Sequence, residues 1–354
     1  VPVTLEAVLE DMFRKGASDV YLTVGLPPTF RINSRLVPME TERLTPETSQ
    51  RLIYSFLTDE QKEIFEREWE LDLCFGVADR ARIRSNVFRQ RGAISSVLRN
   101  IPSKIPTFME LGLPKVAEDI VNLPKGLVIV SGATGCGKST TLASMVDYIN
   151  IREPLHIITV EDPIEYLHPH KKSIVNQREV GDDTRAFSSA LKFALREDPD
   201  VVLIGEMRDL ETIESALVIA ETGHLVFATL HTPDAIQAIN RIIDVFPAHQ
   251  QPQVRAQMAF VLQCVICQQL VPTADGLNLT LAAEFLMLTP AIRNLIREEK
   301  VHQIYSLMQT GSEHGMQTMN QALNGLLKER KVTRETAYAF SPNIEELEKL
   351  VRGL

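Results

Sequence analysis

Residues 125–140 read KGLVIVSGATGCGKST. The apolar run Leu127 to Ser131 has the composition of a buried strand, and it leads into Gly132–Ser139, which satisfies G-x-x-x-x-G-K-[ST] in full. From Ser139 onward the pattern is helical. Glycines at 132, 135 and 137 let the loop take backbone angles that a side chain resists, so that successive N–H groups converge on phosphate oxygens. The helix N-terminus adds partial positive charge at the same point. Lys138 is then placed to bridge the β- and γ-phosphates and the Ser139 hydroxyl to ligate Mg²⁺. The nucleotide-binding set expected for ATP is Gly132, Ala133, Thr134, Gly135, Cys136, Gly137, Lys138, Ser139 and Thr140.

Downstream of this segment, apolar runs alternate with helical stretches. HIITV (156–160), VVLIG (201–205) and LVFATL (225–230) are separated by helices from Ser139, around Thr184 to Arg196 and from Leu210. Such alternation predicts an α/β domain, a parallel sheet with helices on both faces. Beyond Thr289 amphipathic helical stretches predominate, around Ala291–Glu298, Thr318–Lys328 and Asn343–Val351. Upstream, residues 1–100 mix helical patterning (Leu5–Lys15, Pro46–Leu57, Asp59–Trp69) with short alternating runs (Asp19–Val24, Leu71–Val77, Ala93–Leu98), an α+β pattern. Prolines at 102, 106, 114 and 124 predict a linker between the two. The expected organisation is an N-terminal α+β domain (1–100), a linker (101–124), a P-loop core (125–289) and a helical C-terminal appendage (290–354).

Composition sets the bounds. A length of 354 residues favours two domains, and 44% hydrophobic with 23% charged residues is ordinary for a folded globular chain. No stretch approaches the run of about 20 apolar residues that a spanning helix needs, and the N-terminus lacks a signal-peptide pattern, so the expected location is cytosolic. A net charge of −9 argues against nucleic acid as the main partner. Cys264 and Cys267 form one CxxC inside VLQCVICQQLV, without the second pair a zinc site needs, and are read as buried apolar residues.

Four further segments carry candidate chemistry. VVLIGE ends an apolar strand at Glu206, a candidate to hold the Mg²⁺ shell or polarise water, although Gly205 stands where an Asp usually precedes the acid. VEDPIEY places Glu161, Asp162 and Glu165 around a proline-fixed turn, where one is a candidate general base and a solvated acidic loop is the alternative. In TGHLVFATLHT, His224 and His231 are seven positions apart, so a regular strand points them to opposite faces. A γ-phosphate sensor or a subunit contact fits either histidine better than zinc. Lastly, RARIRSNVFRQRG aligns Arg80, Arg82 and Arg84 on one strand face, with Arg99 following. Their repulsion calls for a neutralising anion, which is either a nucleotide phosphate met by an arginine finger or an ordinary salt-bridged edge.

Together these segments resemble the secretion-motor ATPases over nearly the whole chain. GATGCGKST is similar to their Walker A loop, ITVEDPIEY to their Asp box, ALREDPDVVLIGEMRD to their atypical Walker B and AETGHLVFATLHT to their His box. TPAIRNLIREEKVHQIYSLMQTG and GMQTMNQAL resemble the C-terminal signature of the pilus-retraction members. Cys136 occupies a loop position more often held by serine. The resemblance implies a PAS-like first domain, a RecA-like core, a homohexameric ring and ATP bound between the domains. It also implies an inner-membrane pilus platform protein as partner, a site of action at the cytoplasmic face of that membrane, and pilus retraction and twitching motility as the output. By the same resemblance Glu206 is the first catalytic carboxylate and Glu165 the second, with Arg82, Arg84 and Arg99 as charge stabilisers. Secretion or pilus-assembly ATPases and a DNA-translocating hexamer are the competing readings.

Overall fold

The computed structural model describes residues 3–32, 35–77, 81–102 and 104–353. It divides into two compact units, Val1–Lys104 and Ile105–Leu354. Arg80, placed above in the arginine-rich strand, lies outside the described residues.

The first unit runs α1 (Leu5–Arg14), β1 (Asp19–Leu22), β2 (Thr29–Ile32), β3 (Arg35–Pro38), α2 (Pro46–Tyr54), α3 (Asp59–Glu68), β4 (Glu70–Val77), β5 (Ala81–Gln90) and β6 (Ala93–Pro102). Both α2 and α3 begin with a capping box, at Thr45/Thr48 and Thr58/Gln61, which satisfies their first free amides. The strands form one antiparallel sheet in the order β3-β2-β1-β6-β5-β4. Its core draws Val20, Leu22, Phe30, Ile83, Val87 and Leu98 from the sheet and Val8, Met12, Leu52, Ile53 and Phe65 from the helices.

The second unit opens with two short helices, α4 (Phe108–Leu111) and α5 (Val116–Val121). The segment expected as linker is therefore partly folded: Phe108, Ala117, Ile120 and Val121 pack into this unit's core, and Pro106 and Pro114 precede the two helices, where a missing N–H is least costly. Then follow β7 (Gly126–Ser131), α6 (Lys138–Arg152), β8 (His156–Glu161), β9 (Ile174–Glu179), α7 (Phe187–Ala194), β10 (Val201–Ile204), α8 (Leu210–Glu221), β11 (Leu225–Thr229), α9 (Ala235–Asp244), α10 (Gln251–Val261), β12 (Leu262–Pro272) and β13 (Leu279–Met287). The chain closes with α11 (Pro290–Arg297), α12 (Ile304–Thr310), α13 (Met319–Lys328), α14 (Arg334–Ala339) and α15 (Ile344–Arg352).

The strands of the second unit are ordered β13-β12-β7-β11-β10-β8-β9, all parallel except β13, which returns antiparallel on β12. Every residue of β7, β10 and β11 is buried, which is why these strands read as unbroken apolar runs. One face of the sheet (Leu127, Ile129, Ile158, Val202, Ile204, Val226) packs on α7 to α11, and the other (Val128, Val130, Ile157, Leu203, Phe227) on α5 and α6. Cys264 and Cys267 are fully buried in β12. Helices α13 to α15 pack on Val271 and Ala282 of the β12–β13 pair. Among the described residues no helix is long and apolar enough to cross a membrane. The arrangement brings the carboxyl ends of β7, β8, β10 and β11 to one edge of the sheet, where ligands of open α/β sheets bind.

Candidate active site

The loop after β7 has left-handed or otherwise positive φ at each of its glycines: 140° at Gly132, 81° at Gly135 and 89° at Gly137. A Cβ on Gly132 would meet the Gln268 carbonyl oxygen at 2.4 Å and the Cys136 thiol at 2.6 Å, so both the angle and the space demand glycine. Helix α6 starts directly from Gly137 with no side-chain cap, whereas Asp209, Asp234 and Thr289 cap α8, α9 and α11. The first amides of α6 are the ones an anion would accept from. Thr140 reaches Tyr166 of the acidic turn through a 3.0 Å hydroxyl contact, which ties the helix to the segment after β8.

Lys138 is buried, and its ammonium donates to the carbonyls of Gly132 (2.7 Å) and Ala133 (3.1 Å). Burial lowers its affinity for its proton, against which Cys136, Glu206 and Glu165 act. Two carbonyl dipoles only partly compensate a buried cation, so an anionic phosphate suits this position on electrostatic grounds. These residues fit a nucleoside polyphosphate.

Beside Lys138, the end of β10 and the end of β11 bring up Glu206 and His231. The His231 Nδ1 lies 3.4 Å from the lysine ammonium, and its Nε2 lies 3.1 Å from Glu206 Oε1. Lysine can only donate, so Nδ1 is the acceptor and Nε2 carries the proton toward Glu206. The second Glu206 oxygen, Oε2, accepts from Arg208 at 2.7 Å. Partial burial pushes the Glu206 carboxyl up, but the hydrogen bond and charge of Arg208 and the N–H of His231 outweigh it and hold the group below the ordinary glutamate range. Glu206 is thus an ionised carboxylate at neutral pH beside the buried Lys138.

At the end of β8, Glu161 accepts from the Thr159 hydroxyl (2.7 Å) and the Gln177 amide (3.2 Å), while desolvation pushes its pKa up to about 7. A carboxylate raised in the folded state binds its proton more tightly than the unfolded chain does. Stability is therefore full below the unfolded value near 4.5 and declines as pH rises toward 7. Glu161→Gln keeps an oxygen for both donors and removes the charge. The expected result is a higher Tm than the parent at pH 8, by up to roughly 3 kcal/mol of stability, with no gain at pH 4, read by thermal melts at the two pH values. Glu165 is half-buried in the same turn and close enough to Lys138 to act on its charge.

His224 lies elsewhere. It precedes β11 and so sits at the opposite end of that strand from His231, where its Nδ1 meets the Ile219 carbonyl (3.0 Å) and the Thr222 hydroxyl (3.1 Å) at the end of α8. Within this chain His224 is a helix-end contact that does not join Lys138, Glu206 and His231, because β11 lies between the two histidines.

The arginines belong to the first unit. Arg82 and Arg84 lie on β5, and Arg84 is the direct cross-strand neighbour of Arg99 on β6. The register continues from Arg99 to the buried Asp19 and on to Arg31. Arg99 Nε donates to Asp19 at 2.8 Å, and Arg31 lies 3.9 Å from the same carboxylate. Part of the neutralising anion that the arginine pattern calls for is thus internal.

Residues 1–279 match the model of the type II/IV secretion system protein family. The chain belongs to that family. It is 49% identical over 324 residues to the type IV pilus retraction ATPase PilT of Pseudomonas aeruginosa, an alignment covering 92% of this chain and 94% of that protein. It is 44% identical to a twitching motility protein of Neisseria gonorrhoeae over 90% of this chain and 86% of that one. Its fold superimposes on a crystal structure of the pilus retraction motor PilT with bound ADP at a TM-score of 0.92, with 50% identity, covering 98% of this chain and 99% of the other. Both units and the helical C-terminus are therefore those of a secretion-system ATPase. Arg208 was not singled out by spacing; its signal was a cation two positions after a strand-end acid.

Proposed function

We propose that this chain is one subunit of an ATP-driven motor that retracts type IV pili. The observation that carries the reading is the Lys138–His231–Glu206 line of contacts beside an uncapped glycine loop, in a chain close to retraction ATPases over both units. In this reading the loop amides and Lys138 hold the triphosphate. Ser139, first turn of α6, and Glu206, through water, would hold Mg²⁺, which supplies charge neutralisation between the β- and γ-phosphates. Glu206, ionised and aligned by Arg208, accepts the proton of the attacking water. His231, donating to Glu206 and accepting from Lys138, links the phosphate-binding cation to that base, so loss of the γ-phosphate alters both partners of one imidazole. Glu165 is the second carboxylate within electrostatic reach of the lysine. The motor is a homohexamer that works at the cytoplasmic face of the inner membrane on a platform protein of the pilus machine.

Deleting the gene in its own organism tests this output directly: abundant pili with no twitching are expected, and bald cells would assign the chain to assembly instead. Helix α11 separates turnover from retraction. Ile292 and Ile296 are buried and Arg293 is tied to the Phe260 carbonyl (3.0 Å) and to Gln263 (2.8 Å), so that side of the helix is structural. Arg297 is exposed and donates to Asn294, one turn back. Arg297→Ala is expected to leave ATPase within about twofold of the parent while abolishing twitching, with Leu295→Ala, half-buried, costing some stability as well. Parallel loss of ATPase and of the folded state in Arg297→Ala would make the whole helix structural.

A further inference from the structure

Gln268 is a polar side chain in the middle of an apolar strand. It lies on β12 beside β7 and is 1% exposed. Its Nε2 donates to the Cys136 carbonyl at 2.8 Å, and its Oε1 accepts from the Thr141 hydroxyl at 3.1 Å. The carbonyl can only accept, so the amide orientation is fixed by its partners. The backbone of Gln268 is pressed against Gly132, and its amide nitrogen would lie 3.3 Å from a Cβ on Gly137. A single residue of β12 thus touches the beginning of the phosphate loop, its end and the first turn of α6.

We propose that Gln268 is a positioning residue for nucleotide binding, acting through the loop; this rests on the reading of Gly132–Ser139 as the phosphate site. In a trans peptide the C=O and the following N–H point in opposite directions. Holding the Cys136 carbonyl toward β12 turns the Gly137 N–H away from that strand. The Thr141 arm fixes the rotation of α6 about its axis, and with it Lys138 and Ser139 in the same turn. With both arms in place the loop is ordered before the ligand arrives, and no ordering is left to be done on binding.

The register across the hairpin places Cys267 opposite Glu284 and Gln268 opposite Ala283, so Gln268 and Glu284 face opposite sides of the sheet. Glu284, also buried, accepts from the first amide of α9 (3.0 Å), the helix that follows the His231 segment. The pair β12–β13 therefore grips the nucleotide elements from both faces, with Gln268 on the loop side.

The test uses the full chain and MgADP. Gln268→Met preserves length and burial but removes both hydrogen bonds. The ADP Kd by calorimetry is expected to rise about tenfold, the cost of losing the loop's fixed geometry. KM for ATP should rise in parallel, with kcat at saturating ATP changed far less. Gln268→Glu keeps the Thr141 bond and sets an oxygen against the Cys136 carbonyl; it should lose at least as much ADP affinity and keeps the question answerable if the methionine variant fails to fold. Thr141→Val, which leaves the Cys136 arm, should fall between the parent and Gln268→Met. Parent-like ADP affinity in a folded Gln268→Met or Gln268→Glu protein overturns the proposal, as does a fall in Tm with no change in KM. Lys138→Ala measured alongside separates the two readings: if it too binds ADP as the parent does, the phosphate site itself is misplaced, and if it alone loses ADP, only the role of Gln268 falls.

Discussion

Glu206→Gln is expected to bind MgATP as the parent does and to hydrolyse it more slowly by a factor of roughly 100 to 1,000, the usual cost of removing a positioned general base. The substitution changes one oxygen to an amide nitrogen at constant shape. The carboxylate that accepts from Arg208 and from His231 loses its charge, and the attacking water loses its proton acceptor. On the proposed reading the loop and Lys138, rather than Glu206, hold the phosphates, so the ATP Kd should stay within about threefold. Single-turnover hydrolysis beside equilibrium binding distinguishes the outcomes. Equal single-turnover rates would remove Glu206 from catalysis, and loss of binding would make it a structural support of the loop.

The parts of this site that lie contiguously in the chain were legible before the fold. The strand–loop–helix around Gly132–Ser139 could be read because its three parts follow one another within fourteen residues of sequence. Unbroken apolar runs announced β7, β10 and β11, since both faces of those strands are covered. What depended on distant pairing was not legible. Glu206 and His231 meet because β10 and β11 are adjacent and parallel, an ordering that local pattern does not contain. His224 and His231 share one motif yet lie at opposite ends of β11, because a strand of this length separates its flanks by about 20 Å. Asp19 answers Arg99 from eighty positions away, so the arginine pattern alone left an external phosphate and a salt-bridged edge both open. In residues 101–124 the prolines spoke for a linker, while the apolar positions Phe108, Ala117, Ile120 and Val121 speak for packing. The strand β9, IVNQRE, follows two apolar residues with four polar ones at the sheet's edge and gave little apolar signal. Gln268 did carry a signal, a polar residue inside an apolar run, but its partners Cys136 and Thr141 are visible only once β12 is laid beside β7.

Helix α6 and the loop before it bear the rest. The Lys138 ammonium is held inside the loop by the Gly132 and Ala133 carbonyls. Replacing it with alanine leaves the glycine backbone, Gln268 and the helix N-terminus in place, so the protein should fold, while the strongest charge-assisted contact to phosphate is gone. The decisive measurement is steady-state ATP hydrolysis by purified Lys138→Ala protein beside the parent. A fall of about 100-fold or more in kcat/KM, with the Tm of the ligand-free protein unchanged, is the expected result; turnover at the parental rate would contradict the assignment of Gly132–Ser139 as the seat of ATP and with it the motor built on that loop.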